Sequence, residues 1–304
     1  MKVVSRLSGG LGNQLFQFSA ALWLARGDLT SVYVDPAALR FNAERGKATI
    51  RDFELKVPLA NKLQVISYNH EVSVPVRMAA MEGRSQIGTL AAAVAPVFSL
   101  GSWKILRERG PAFEALSRAS SYQSIFLSGY WQDYRIAEAL GSQIRNILTP
   151  RPELSTRLLD LKGEINSGTS VAVHVRRGDF QTASASLHDV TNASYFERGL
   201  RHLQEELGAL RVFVFSDDIS WCQDNLAFPS RTRYVAAERG DTDFAHLWLM
   251  SQADNFVISN STFSWWAAWL GMSKTKRVVR PPKWLRREPK HLQVYHPSWQ
   301  VLRT

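Results

Sequence analysis

From about residue 168 onward, short β-branched runs alternate with amphipathic helical stretches, and this alternation constrains the fold more than any other property of the chain. Ser170–Val175 places Val171, Val173 and Val175 at the two-residue period of a strand. A helix over 194–207 follows, with Leu200, Leu203 and Leu207 on one face, and then a strand at Arg211–Phe215. A helical stretch begins near Ile219, and Arg233–Val235 reads as a short strand. Asp241-Thr242-Asp243 opens a helix carrying Phe244, Leu247, Trp248 and Ser251 at helical spacing. Asn255–Ser259 is a strand that runs into Asn260–Gly271, and Arg277–Arg280 is the last strand before Pro281-Pro282. Strands separated by helices through so many units fold as a parallel, doubly wound α/β sheet.

The start of the chain repeats the unit once. Residues 2–7 read as a strand, Gly9-Gly10-Leu11-Gly12 as a tight loop, Asn13–Arg26 as an apolar-periodic helix and Ser31–Asp35 as a second strand. A dinucleotide fingerprint must be weighed here, since Asp35 falls where a ribose-binding acid would sit. Leu15 occupies the third glycine position, which speaks against an oxidoreductase. Asn13 and Gln14 instead bring two amides into the loop, which suits polyhydroxyl recognition. Residues 36–150 are less legible. Gly129-Tyr130-Trp131-Gln132-Asp133 is a compact aromatic–amide–carboxylate group, fit either for sugar binding or for a buried corner. A helix over Ile136–Leu148 stops at Thr149-Pro150-Arg151-Pro152. With 304 residues, two lobes are expected, 1–150 and 151–304.

A net charge of +10 and a pI near 9.9 favour acidic partners: nucleic acid, anionic lipid or phosphorylated small molecules. The basic tail Lys283–Arg287 motivates the rival reading of a nucleic-acid or anionic-surface binder, although it resembles a solvated rim more. The single cysteine, Cys222, excludes an internal disulfide and fits a reducing cytoplasmic compartment. No signal-peptide pattern opens the chain, and the uncharged run Ser85–Trp103 carries Gly88, Pro96 and Gly101, marginal for crossing a bilayer.

Three groups at strand ends carry chemistry, and an open α/β sheet collects ligands in the crevice beyond those ends. His174-Val-Arg176-Arg177-Gly-Asp179 supplies two guanidiniums, forked donors matched to phosphate oxygens. Ser216-Asp217-Asp218 supplies carboxylates that suit guanine or ribose, or the cap of the next helix. Asn260-Ser261-Thr262-Phe263-Ser264 sets hydroxyls and a helix start where a pyrophosphate could rest. Asp241-Thr242-Asp243 has the Asp-x-Asp form of some metal–nucleotide sites, but its place at a helix start reads as cap and first-turn acids. No metal is expected.

Gly9–Gln17, His174–Asp179, Phe215–Trp221 and Asn260–Trp266, with the block Asp243–Gly271, resemble the bacterial α-1,2-fucosyltransferases, glycosyltransferase family 11. The resemblance implies a GT-B architecture, two Rossmann-like doubly wound lobes facing a cleft. Residues 1–150 would be the acceptor-side lobe and 151–304 the GDP-fucose lobe. It implies metal-independent, inverting transfer of L-fucose from GDP-β-L-fucose to a sugar hydroxyl, O2 of a galactoside, with no cofactor. Carried over, His174, Arg176 and Arg177 grip the donor, Asp217 or Asp218 reads the nucleoside, and Asn260, Ser261, Thr262 and Phe263 hold pyrophosphate or base. Asn13 approaches the reacting sugar, and Gln14, Trp131, Gln132 and Asp133 face the acceptor. For a general base, Asp35, Asp133 and Asp179 are the available carboxylates. Beside the resemblance, the cysteine count leads to the expectation of a cytoplasmic enzyme, and the tail Lys283–Arg287 to that of peripheral contact with an anionic membrane at its inner face, where a lipid-linked glycan acceptor would be presented.

Overall fold

A computed structural model of the chain describes residues 1–36, 39, 64–65, 103–119, 123–148, 154–177 and 191–302. Asp179, most of the Ser85–Trp103 run and the Thr149–Pro152 segment lie outside them. The chain divides into two compact units: Met1–Thr149 with His291–Val294, and Pro150–Lys290 with Tyr295–Thr304.

The first unit holds β1 (Lys2–Arg6), α1 (Leu11–Leu24), β2 (Val32–Asp35), β3 (Gln64–Val65), β4 (Trp103–Arg107), α2 (Ala112–Ser117), β5 (Ser124–Ser128) and α3 (Tyr134–Ile147). Its described strands form one parallel sheet in the order β3-β2-β1-β5-β4. Val3 and Val4 of β1 are wholly buried, as are Leu15, Phe16, Phe18 and Leu22 of α1. α1 therefore packs on the sheet through much of its circumference, and it does so without a side-chain cap at Gly10. Gly9 lies at φ +76°, where a side chain is strained, and a Cβ there would also displace the Asn13 amide, whose Nδ2 would be 2.3 Å away. α3 is amphipathic and kinks at Gly141, where φ is 46° and ψ −122°. Its first backbone N–H, on Tyr134, reaches the carbonyl of Gln293 at 2.9 Å, which is how the 291–294 segment joins this unit.

The second unit holds α4 (Thr156–Ile165), β6 (Ser170–Val175), α5 (Ala193–Leu207), β7 (Arg211–Ser216), α6 (Ile219–Asn225) and β8 (Arg233–Val235). It continues with α7 (Asp243–Ser251), β9 (Asn255–Val257), α8 (Thr262–Leu270), β10 (Val278–Arg280) and β11 (Gln300–Val301). All its strands are parallel, in the order β11-β10-β9-β6-β7-β8. The alternation read along the chain is thus a real sheet, with β11 as an edge strand too short to show a pattern. Val171, Val173 and Val175 join Tyr195, Phe196, Leu200 and Leu203 of α5 in one core, so His174 belongs to the opposite face of β6. From β6 the chain winds outward through β7 and β8, then crosses to β9 and winds the other way. That reversal, between β6 and β9, is where an open α/β sheet forms its ligand crevice.

Candidate active site

The three groups foreseen in the second unit converge on this reversal. His174, 5% exposed, bonds Ser259 Oγ through Nδ1 at 3.0 Å and stacks on Phe263 with ring centroids 5.4 Å apart. That bond ties the end of β6 to the chain leaving β9. Two residues on, Arg176 sets a terminal guanidinium nitrogen 3.3 Å from Asp217 Oδ2. The other Asp217 oxygen accepts the backbone N–H of Arg177 at 2.8 Å. Arg177 lays its guanidinium over the Trp221 ring, 4.0 Å from the centroid, with its Nε 4.0 Å from Asp218 Oδ2. Asp218 Oδ1 accepts the Trp221 N–H at 3.0 Å and so caps α6. Both carboxylates, expected to read a nucleoside, are thus engaged with the arginine pair and the helix that backs it.

The start of α8 completes this end of the sheet. Ser261 caps the helix, its Oγ accepting the Phe263 N–H at 3.3 Å, and Thr262 and Phe263 form the first turn. Asn260 donates from Nδ2 to the Trp284 carbonyl at 3.0 Å. The tryptophans that follow are core. Trp265, Trp266 and Trp269 are at most 3% exposed, and Trp265 lies 5.1 Å from Trp266 and 5.5 Å from Trp299 between ring centroids. At the far end Lys276 Nζ donates to the carbonyls of Ala268 at 2.6 Å and Gly271 at 2.8 Å, closing the negative end of α8. The Asp-x-Asp acids are used as expected of a helix start: Thr242 caps α7 and Asp243 lies in its first turn. Asp241 pairs with Arg157 and lies 2.9 Å from His246 Nε2.

In the first unit, Asn13 Oδ1 accepts the Gln132 amide at 2.8 Å, joining the glycine loop to the turn after β5. Gln17, which the sequence offered no reason to single out, extends that tie. Its Nε2 donates to Ser8 Oγ at 2.9 Å and to the Gly129 carbonyl at 3.1 Å. The other residues expected to face an acceptor are differently placed. Gln14 is buried and donates to the Gly9 carbonyl at 3.0 Å, a role inside its own loop. Trp131 has no exposed surface at all, so it offers no face to a sugar. Asp133 is 1% exposed and caps α3, its oxygens taken by Arg135 and by the Phe113 N–H at 3.3 Å. A buried Asp sealed by Arg135 is a corner, and it makes a poor base. Arg135 also bridges to Glu114 at 2.6 Å, and the two carboxylates push its pKa up.

A model of glycosyl transferase family 11 matches residues 102–303. The chain belongs to that family. Among the glycosyltransferases it is similar to, the α-1,2-colitosyltransferase of Escherichia coli is 30% identical over 94% of this chain and 93% of its own. The O-antigen biosynthesis glycosyltransferase WbnK of the same species is 27% identical over 92% of this chain and 94% of its own. The crystal structure of the fucosyltransferase NodZ from Bradyrhizobium matches with a TM-score of 0.50 at 15% identity, covering 88% of this chain and 92% of that one. The fold is accordingly α/β of the GT-B type, each unit of this glycosyltransferase contributing a parallel sheet.

Two ionisable groups of the glycosyltransferase are strongly biased by their surroundings. Glu108, just after β4, accepts the N–H groups of Tyr130 and Trp131 at 2.7 and 3.0 Å, yet burial still raises its pKa. His174 is driven down to about 3, first by burial and then by the charge of Arg176. The imidazole is therefore neutral at working pH and acts as a hydrogen-bonding spacer beside the arginines. The sign of its linkage follows. Above pH about 6.5 the ring is neutral in both states and costs nothing. Below it the unfolded chain takes a proton that the native site refuses, so stability falls as pH drops toward 3. Between pH 7 and pH 5 this lowers stability by about 2 kcal/mol. Denaturant titrations of wild type and His174→Gln at the two pH values should show that loss in the wild type and its absence in the variant.

Proposed function

We propose that this glycosyltransferase moves L-fucose from GDP-β-L-fucose to O2 of a galactoside with inversion, giving an α linkage. The observation that carries the reading is the arginine pair at the sheet reversal, held by Asp217 and Trp221 beside the start of α8. In the transfer, the acceptor hydroxyl oxygen bonds to the anomeric carbon as the bond from that carbon to the β-phosphate oxygen breaks. Negative charge builds on the departing GDP. Guanidiniums fixed beforehand, together with the positive end of α8, stabilise that charge more as it develops than in the bound donor. The hydroxyl proton leaves last, so a largely dissociative displacement asks little of a base; Asp133 is sealed, Asp35 is buried as well, and Asp179 lies outside the described residues.

Two further supports narrow the reading. One E. coli relative is an α-1,2-colitosyltransferase, and the other is named for O-antigen biosynthesis. Both fit a cell-surface glycan as acceptor. A lipid-linked acceptor would place the basic residues Lys283, Arg286 and Arg287 against an anionic inner membrane face in the cytoplasm. No helix among the described residues is long and apolar enough to cross a membrane. On this reading the reaction needs neither metal nor cofactor; the arginine pair as charge partner, and Asp241 engaged by Arg157 and His246, support it.

The test is incorporation of labelled sugar from GDP-fucose into lactose, lacto-N-biose and N-acetyllactosamine, before and after exhaustive EDTA treatment. Equal product in both arms is expected. Activity lost with EDTA and restored by Mn²⁺ would mean that a metal, and not the arginine pair alone, meets the leaving-group charge.

A further inference from the structure

The turn after β5 leaves one aromatic side chain without a task. β5 is paired with β1 at the reversal of the first sheet, where the described strands run outward to β2 and β3 on one side and to β4 on the other. Beyond Ser128 the backbone is fixed from both sides. Gln17 holds the Gly129 carbonyl, while a single Glu108 oxygen receives two successive N–H groups, of Tyr130 and of Trp131. Gly129 lies so close to Glu108 that a Cβ would meet the Glu108 Cβ at 2.4 Å. Trp131 is then forced to φ +57°, a left-handed conformation that bulky residues rarely adopt. The reversal sends Trp131 fully inward and leaves Tyr130 exposed, at 47% for the residue. Strain of this kind concentrates where a side chain is being aimed. Two residues further, Gln132 meets Asn13.

We propose that Tyr130 is a stacking platform for a pyranose ring of the acceptor, presented by a turn that Glu108 clamps. A tyrosine ring offers the flat apolar face that the C–H face of a galactose-type sugar covers, and its hydroxyl keeps the exposed edge wet. Trp131 supplies the anchor in the core that Tyr130 needs in order to stand outward. Gln132 and Asn13 supply amide groups beside it for sugar hydroxyls. This subsite rests on the glycosyltransferase reading above, and it transfers the acceptor-stacking role expected of Trp131 to its exposed neighbour.

Steady-state kinetics of wild type, Tyr130→Ala, Tyr130→Phe and Glu108→Gln test it, with the best galactoside of the panel as acceptor and GDP affinity and melting temperature measured beside them. Tyr130→Ala should raise the acceptor KM by about three- to tenfold. Donor KM, GDP affinity and melting temperature should stay at wild-type values. Tyr130→Phe should restore the acceptor KM, and Glu108→Gln, whose neutral amide oxygen is the weaker acceptor for both N–H groups, should raise the acceptor KM in the same direction as Tyr130→Ala while donor KM holds. An active wild type whose acceptor KM is unmoved by Tyr130→Ala overturns the platform while leaving the donor reading intact. A parallel rise in donor and acceptor KM overturns it too, because that is general loosening. A wild type that does not turn over GDP-fucose at all overturns both readings.

Discussion

Arg176→Lys should cut kcat about a hundred- to a thousandfold, with a smaller change in donor KM and an unchanged melting temperature. Arg176 reaches Asp217 with one terminal nitrogen while its side chain stays 26% exposed, and a guanidinium presents its N–H donors as a rigid planar fork. An ammonium group is a point charge, and it cannot hold Asp217 and a phosphate in the same fixed geometry. Losing one preorganised donor of a developing anion typically costs about 3–4 kcal/mol in the transition state. The loss should therefore appear in kcat more than in binding. A partly exposed ion pair contributes little to folding, which is why the melting temperature should hold. Near-normal kcat, or a melting temperature that falls far enough to explain the lost activity, would assign Arg176 to packing.

Trp266→Ala should lower the stability of the second unit by about 3–5 kcal/mol and take donor binding with it. Trp266 has no exposed surface and meets Trp265 and Trp269 edge-on at 5.1 and 5.5 Å. The cavity cannot close easily, because Trp265 is already packed against Trp299 and Trp269. The same helix carries Ser261, Thr262 and Phe263 at its start, so a shifted α8 would displace Phe263 from His174. Denaturant unfolding with GDP titration checks both parts. A loss under about 1 kcal/mol would mean that the cluster repacks freely.

Much of the second unit is legible in its sequence, and the reason is physical. Its central strands β6 and β7 are buried on both faces over Val171–Val175 and Val212–Phe215, which are therefore largely apolar, and its helices start at Asn192, Asp218, Thr242 and Ser261, whose side chains cap them. Local chemistry and tertiary structure agree there. The first unit is harder. β5 carries no alternation, since all of Ser124–Ser128 is buried, and α1 begins without a capping side chain. The residue types of the turn at 129–133 fit either a sugar site or a buried corner, and burial decides between them. A left-handed Trp131 reverses which aromatic faces outward, and no sequence pattern announces it. Glu108 was illegible for a related reason. Its partners are backbone N–H groups 22 and 23 residues away, and they leave no signature in residue identity.

The charge assignments divide along the same line. The arginine pair is recognisable because a strand points to it, whereas the carboxylates that hold it could equally have been ligand-binding groups. Only the geometry gives Asp217 to Arg176 and Arg177, and Asp218 to the start of α6.

The most direct test of the central claim is the structure of the product. Wild-type enzyme is incubated with GDP-β-L-fucose and the galactoside panel, and in parallel with other nucleotide sugars, a GDP-colitose arm among them, and each product is analysed by NMR. The account predicts a fucosyl residue in α linkage to O2 of galactose, formed with inversion from the β-linked donor. A β-linked product, or transfer from another nucleotide sugar with none from GDP-fucose, would contradict it.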